Sequence, residues 1–121
     1  MSISDAPELF EFLDRSSDLP EGADFCLTLS DSSMEPFFPC GTDVYVSAAR
    51  SPDEFDAGIF FYENKVLCRQ WCEDSSGTLH LLPANPAFRD RCIAIPKSLR
   101  DRCLCLGSVL FDRKLPRPAY R

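Results

Sequence analysis

The sequence predicts a mostly β fold of antiparallel strands with one short helix near the N-terminus. Short runs rich in β-branched and aromatic residues recur along the chain, and turn-forming residues separate them. The composition agrees, because ten phenylalanines and ten prolines accompany only five glycines. The runs with strand character cover residues 23–29, 43–48, 57–62, 65–72, 78–82, 91–95 and 103–111.

The helix is predicted over residues 6–15. Pro7 falls in its first turn, where a missing N–H costs nothing, and Leu9, Phe10 and Leu13 share one face. We therefore expect a short helix that lies over the core.

A length of 121 residues fits one domain with a single core. We predict an N-terminal helix and loop over residues 1–22, a folded domain over residues 23–112, and a C-terminal tail over residues 113–121. The tail is expected to be loose, since it is short and rich in proline and charge.

The charge disfavours several classes of partner. The net charge is −6 and the pI is about 4.7, so direct binding to nucleic acid is not expected. No apolar run approaches the roughly 18 residues that a membrane span needs, and the acidic N-terminus lacks a signal-peptide core. We expect no membrane partner and a cytoplasmic location.

The seven cysteines are expected to be reduced thiols, and most of them are expected to pack in the core. An odd count without an export signal disfavours a disulfide framework. There is no Cys-x-x-Cys pair, and the spacings Cys68-x3-Cys72 and Cys103-x-Cys105 suit zinc poorly. We therefore predict no metal and no cofactor.

Ser33 is the residue whose position invites a chemical interpretation. It follows the first predicted strand, after Ser30, Asp31 and Ser32, where a hydroxyl is lifted out of the strand ladder. Such a position suits a nucleophile, and it equally suits an ordinary turn serine. The residues alone leave both interpretations open.

The motif around Ser33 resembles the nucleophile box of the LexA/UmuD-type Ser–Lys peptidases, to which signal peptidase I is distantly similar. The box reads Ser33-Met34-Glu35-Pro36, with Gly41 seven residues after Met34 and Val44-x-Val46 in the following strand. The resemblance implies a LexA/signal-peptidase-like complex β fold.

Downstream segments extend the resemblance in order and spacing, so that it covers roughly residues 22–112. They are Asp56-Ala57-Gly58-Ile59, Leu67-Cys68-Arg69, the strand after Gly77, Asn85-Pro86-x-Phe88, and the closing Gly107-x-Val109.

The resemblance implies roles for several residues. Ser33 would be the nucleophile, Met34 and Gly41 would shape the turn, and backbone N–H groups there would hold the oxyanion. In such peptidases a buried lysine, kept neutral by desolvation, takes the serine proton.

The sequence departs from that pattern at the base. Cys68 occupies the lysine slot, and a buried thiol is a poor substitute for an amine. Lys65 is the alternative base, but residues 65 and 68 point to opposite faces of a strand unless a bulge intervenes. Asp31-Ser32 also replaces the usual Gly-x pair before the serine.

His80 offers a Ser–His alternative. It lies between apolar residues of its strand, on the opposite face from Leu79 and Leu81, so a surface position is the simpler interpretation. The sequence names no acid that would orient it.

Two functional hypotheses follow. The first is a LexA-like serine peptidase fold that has lost its catalytic lysine and acts as a non-catalytic, peptide-binding or regulatory domain. Its partners would be a second copy of the chain, a peptide, or a larger LexA-like protein. The alternative is an active serine peptidase that uses Ser33 with Lys65 as a displaced base. Self-cleavage has no obvious target, since no Ala-Gly or Cys-Gly bond precedes Ser33.

Overall fold

A computed structural model describes residues 19–121, and β-strands are their main elements. Seven strands form one sheet in the order β1-β2-β7-β3-β4-β5-β6, and every neighbouring pair is antiparallel. The prediction of a mostly β, antiparallel fold is confirmed, whereas the predicted helix over residues 6–15 lies outside the described residues. The strands are β1 (Phe25–Thr28), β2 (Asp43–Ser47), β3 (Ala57–Tyr62), β4 (Lys65–Glu73), β5 (Leu79–Leu82), β6 (Ile93–Ile95) and β7 (Leu104–Val109).

The central hairpin joins β3 to β4 through a tight turn. Glu63 and Asn64 both have positive φ, 49° and 62°, as a two-residue hairpin turn requires. Tyr62 pairs with Lys65 next to the turn, and the register then runs without a shift along the whole of β3. The strands predicted over residues 57–62 and 65–72 therefore form a hairpin, and the faces of β4 alternate without interruption from its first residue.

Two 3₁₀ helices flank the last strands, at Pro86–Arg91 and Lys97–Arg102. The side chain of Asn85 caps the first by accepting a hydrogen bond of 3.0 Å from the Ala87 N–H. The second 3₁₀ helix joins β6 to β7. Among residues 19–121 there is no helix long and apolar enough to cross a bilayer.

The core lies on both faces of the sheet. Met34, Ile59 and Cys68 belong to one buried cluster, and Phe60 and Leu81 belong to the other. Ile59 and Phe60 are consecutive in β3, so the pleat sends their side chains to opposite faces. The middle of the sheet is therefore covered on both sides, and the strand is apolar throughout.

Gly107 is required by the packing of β7 between β2 and β3. Its φ is 151°, and the register of β3 with β7 shifts between Ile59 and Phe60 beside it. A Cβ at this position would lie 2.4 Å from the Ser47 carbonyl oxygen, which no side chain tolerates. The closing Gly-x-Val of the sequence motif thus has a steric cause.

The C-terminal tail packs on the domain, so the expectation of a loose tail was wrong. Leu115 is only 4% exposed and joins the core cluster that contains Met34. The Gln70 Nε2 donates a hydrogen bond of 2.9 Å to the Pro116 carbonyl, and the Tyr120 hydroxyl donates to the Pro83 carbonyl. These long-range contacts offset the entropy of ordering the segment, and local composition does not reveal them.

The packing of the tail predicts the effect of Leu115→Ala. The substitution should lower the free energy of unfolding by about 2–4 kcal/mol, because it leaves a cavity in a buried cluster. Leu104→Ala is the matched control, since Leu104 is 53% exposed, and it should cost less than about 0.5 kcal/mol. Urea denaturation measures both, and equal losses would show that the tail does not contribute to the core.

Candidate functional site

The turn that carries Ser33 is held from both ends. The Leu29 N–H donates to the Thr42 carbonyl at 2.9 Å, and the Gly41 N–H donates back to the Leu29 carbonyl at 2.8 Å. Gly41 has a φ of 85°, which a glycine adopts without strain. Met34 is fully buried and anchors the turn in the core.

Asn85 clamps the same turn from the other side of the site. Its N–H donates a hydrogen bond of 2.9 Å to the Ser33 carbonyl, and its Nδ2 donates one of 2.9 Å to the Ser32 carbonyl. Two backbone groups of the turn are therefore paired with one residue. This explains in physical terms why an Asn-Pro segment accompanies the serine motif.

The Ser33 hydroxyl lies between a carboxylate and a guanidinium. It donates a hydrogen bond of 2.6 Å to Asp31 Oδ1 and accepts one of 2.9 Å from Arg69 Nη1. The Ser33 N–H also donates to Asp31 Oδ1, at 3.0 Å. Ser33 is only 2% exposed. Its direct partners are thus Asp31 and Arg69, and neither is an amine.

Arg69 reaches Ser33 by folding across the edge of β4. Its Nη1 also donates a hydrogen bond of 2.8 Å to the Cys68 carbonyl, and the residue is 5% exposed. Burial lowers the pKa of the Arg69 guanidinium, and the charge of Asp31 opposes that shift. A guanidinium nevertheless stays protonated in proteins and cannot accept the serine proton.

Asp31 is a poor base for a different reason. Burial acts to raise its pKa, but the hydrogen bonds from the Ser33 side chain and backbone and the charges of Arg69 and Arg91 hold the pKa below its usual value. A carboxylate with a lowered pKa has little tendency to remove a proton from a hydroxyl. The arrangement stabilises the hydroxyl in its neutral form.

Cys68 lies beside Ser33, and both line a cavity of about 40 Å³. Burial raises the pKa of the Cys68 thiol to about 12, against the opposing charge of Arg69. The thiol is therefore neutral at physiological pH and packs as a small apolar side chain in the core cluster.

The structure does not bring Lys65 to Ser33. Lys65 is exposed and lines a second cavity, of about 610 Å³, whose wall includes Asp31 and Arg69 but not Ser33. The unshifted register of β3 with β4 supplies no bulge that would turn Lys65 to the face of Cys68.

The expected oxyanion donors are only partly available. The Gly41 N–H is bonded to Leu29 and the Ser33 N–H is bonded to Asp31. The Met34 N–H has no hydrogen-bond partner among residues 19–121. Of these three N–H groups, only that of Met34 is left to bind an oxyanion.

His80 lies in β5, and its side chain lines neither of the two cavities. Its Nε2 is 2.9 Å from Asp74 Oδ2, an acid that the sequence did not suggest as a partner. The hydrogen bonds from His80 and from Ser76 hold the pKa of Asp74 well below its usual value. This pair stabilises the turn into β5 and does not reach Ser33.

Asp31 and Arg69 are the two site residues whose roles the sequence did not reveal. Asp31 was noted as a departure from the Gly-x pair, and Arg69 was noted as a match in the Leu67-Cys68-Arg69 segment. The sequence did carry one signal. The carboxylate of Asp31 lies two residues before Ser33, the nucleophile position, and the guanidinium of Arg69 directly follows Cys68, the base position.

The cysteines are not arranged for a metal. No disulfide joins the seven cysteines, all of which lie within residues 19–121, and Cys26, Cys68 and Cys72 are buried. Within residues 19–121 no group of three or more His, Cys, Asp or Glu side chains is placed to hold a metal ion.

A family model described as Peptidase S24-like matches residues 4–110. The chain belongs to this family. The match spans nearly all of the folded region and confirms the resemblance to the LexA/UmuD-type peptidases. No curated protein matches the chain in the corresponding search.

The charge of Asp31 predicts the behaviour of Asp31→Asn. The amide keeps an oxygen acceptor for Ser33 but removes the negative charge beside Arg69, so at pH 7 the free energy of unfolding should fall by about 1–2 kcal/mol. Folding lowers the pKa of Asp31 below 3.8, its value in the unfolded chain. The ionised carboxylate therefore contributes fully to the free energy of unfolding above pH 3.8, and this contribution is lost as the pH falls through the folded pKa.

The difference between wild type and Asp31→Asn should therefore shrink as the pH falls from about 5 to about 2. Denaturation at a series of pH values measures it. Asp112→Asn is the control, since Asp112 is exposed and forms no hydrogen bond with other residues in the 19–121 range. A pH-independent difference would contradict the ionic role of Asp31.

Proposed function

We propose that this Peptidase S24-like chain is a non-catalytic member of its family that binds an extended peptide segment in its cleft and acts as a regulatory domain. The observation that supports it is the Ser33 hydroxyl, which is hydrogen-bonded between Asp31 and Arg69. A hydroxyl in this setting is a structural group, because no neighbour can remove its proton at neutral pH.

The chemistry of the neighbours supports the loss of catalysis. A serine nucleophile needs a base with a pKa near the working pH. Arg69 stays charged, and Cys68, with a pKa of about 12, stays protonated. Asp31 is ionised, and its lowered pKa makes it a weak base.

Two departures from the family pattern both affect the Ser33 hydroxyl. Cys68 removes the amine from the base position, and Asp31 places a carboxylate where the pattern has glycine. Asp31 then accepts hydrogen bonds from both the N–H and the hydroxyl of Ser33. The loss of the base and the engagement of the serine thus support the same conclusion.

A stretch of β4 that lacks a strand partner on one side supports peptide binding. β5 pairs with β4 only from Gln70 onward, so among residues 19–121 the stretch 65–69 pairs with β3 alone. In an antiparallel ladder alternate residues face each neighbour, which leaves the N–H and C=O of Val66 directed at the open edge. An extended peptide can add to such an edge as a further strand.

The cleft at this edge has a second wall. Residues 27–31, at the end of β1, line the Ser33 cavity together with residues 66–69 of β4. Three strands separate β1 from β4 in the sheet order, so the sheet curls until the two meet. A peptide added to β4 would lie between these two walls.

The occupant of the cleft is a segment of another chain. A second copy of this chain and a larger family member are the candidates, and the outer edge of β1 offers a further surface for strand pairing. Sedimentation of the purified chain, alone and with a full-length family member, distinguishes a homodimer from a heteromeric complex.

A fluorophosphonate probe tests the loss of catalysis without knowledge of the substrate. The wild type should label no faster than Ser33→Ala between pH 7 and pH 10, because no base activates the hydroxyl. Labelling that requires Ser33 would contradict the proposal. If Lys65→Ala then abolished it while Cys68→Ala did not, the alternative of an active peptidase with Lys65 as base would hold.

A restored site provides the positive control for that experiment. The double variant Asp31→Gly/Cys68→Lys frees the hydroxyl and supplies an amine at the base position, so labelling should appear and rise with pH. Asp31→Gly/Cys68→Met is the matched control, and it should remain unlabelled. Circular dichroism confirms that both variants are folded.

A further inference from the structure

The larger cavity beside Ser33 has a basic wall that hydrolysis would not require. Its volume is about 610 Å³, and Lys65, Arg69 and Arg91 line it together with the acids Asp31 and Glu63. Asp31 is already engaged by Ser33. Three basic and two acidic side chains line the cavity, so its lining carries a net positive charge, although the chain as a whole carries −6.

One edge of the Arg69 guanidinium has no protein partner. Its Nη1 is used by the Ser33 hydroxyl and by the Cys68 carbonyl, but its buried Nε has no hydrogen-bond partner in the described part of the chain. A buried donor on a charged group is destabilising when it has no hydrogen-bond partner. The Nε side of a guanidinium is one of the two edges that bind a carboxylate in bidentate fashion.

Arg69 also lacks a direct ion pair among the described residues, since Asp31 compensates its charge only through the Ser33 hydroxyl. Within residues 19–121 it forms no ion pair within 4.0 Å. The Arg91 guanidinium lies 4.9 Å from the centre of the Phe88 ring. Burial of Arg69 is the main cause that lowers its pKa, and the positive charge of Arg91 lowers it further. Two like charges on one cavity wall are stabilised by an anion placed between them.

The pleat of β4 determines which side chains of a docked peptide enter this cavity. Lys65, Leu67 and Arg69 line it, whereas Val66 and Cys68 pack toward the core on the opposite face. A strand added at Val66 would present its own side chains alternately to these two faces. Every second side chain of the peptide would therefore face the basic wall.

We propose that this cavity binds the carboxylate side chain of a glutamate or aspartate in a peptide docked on the open edge of β4. Arg69 would receive the carboxylate on its unpaired Nε edge, and Arg91 and Lys65 would supply the surrounding positive charge. The inference rests on the proposed peptide-binding function and adds the class of residue that the site selects.

The test uses two pooled libraries of blocked octapeptides, N-acetylated and C-amidated. They are identical except for glutamate or glutamine at alternate positions, and the full-length chain selects from both under the same salt. Individual pairs are then measured by fluorescence anisotropy. Each glutamate peptide should bind about 10-fold to 100-fold more tightly than its glutamine partner, as charge-assisted hydrogen bonds to Arg69 predict.

Variants locate the effect in the cavity. Arg91→Gln should reduce the preference for glutamate about 3-fold to 10-fold and leave the glutamine peptides unaffected, because the neutral side chain still packs on Phe88. Arg113→Gln is the matched control, since Arg113 lies over the Phe111 ring and outside the cavity, and it should leave the preference unchanged.

Each contrary outcome has a distinct meaning. Equal binding of the two libraries would overturn the acidic selectivity and leave peptide binding standing. Binding of neither library would overturn both proposals. Preference for a free C-terminal carboxylate in an unblocked control peptide, or for a single-stranded oligonucleotide, would also overturn the assignment of an acidic side chain.

Discussion

The hydrogen-bonded chain from Asp31 through the Ser33 hydroxyl to Arg69 is the interaction on which the site depends. A buried guanidinium is costly to desolvate, and only charged or polar partners offset that cost. Asp31 supplies the compensating charge, and Ser33 connects the two groups at 2.6 Å and 2.9 Å. The same contacts that stabilise Arg69 inside the domain occupy the hydroxyl that a peptidase would need.

The rest of the fold positions this chain of contacts. Met34 anchors the turn in the core, and Asn85 holds two of its carbonyls. The unbroken register of β3 with β4 fixes Arg69 and Cys68 on their faces of β4. The fold therefore holds the backbone around Ser33 in place, and the Ser–Lys pattern is interrupted at Cys68. An edge of β4 left open beside the site then becomes available for recognition.

Much of the fold follows from local patterns that the sequence displays. The two-residue turn at Glu63-Asn64 and the flanking apolar runs predict the central hairpin, and the alternating runs predict most strands within two or three residues of their observed ends. The packed tail did not follow, because Tyr120 bonds to Pro83, 37 positions away, and Leu115 joins a cluster that also contains Leu27 and Met34. The role of Arg69 was also hidden. Strand alternation directs its side chain to the face opposite Cys68. Its guanidinium reaches the Ser33 hydroxyl only because the side chain is long. The role of Asp31 depends in turn on Arg69.

The distance from Ser33 Oγ to each neighbouring nitrogen, measured in a crystal structure at slightly alkaline pH, tests the account most directly. The account predicts Arg69 Nη1 within hydrogen-bond distance, near 2.9 Å, and no amine within about 3.5 Å, the reach that a general base requires. Lys65 Nζ within that distance, with Arg69 turned away from the hydroxyl, would contradict the account and restore a catalytic dyad.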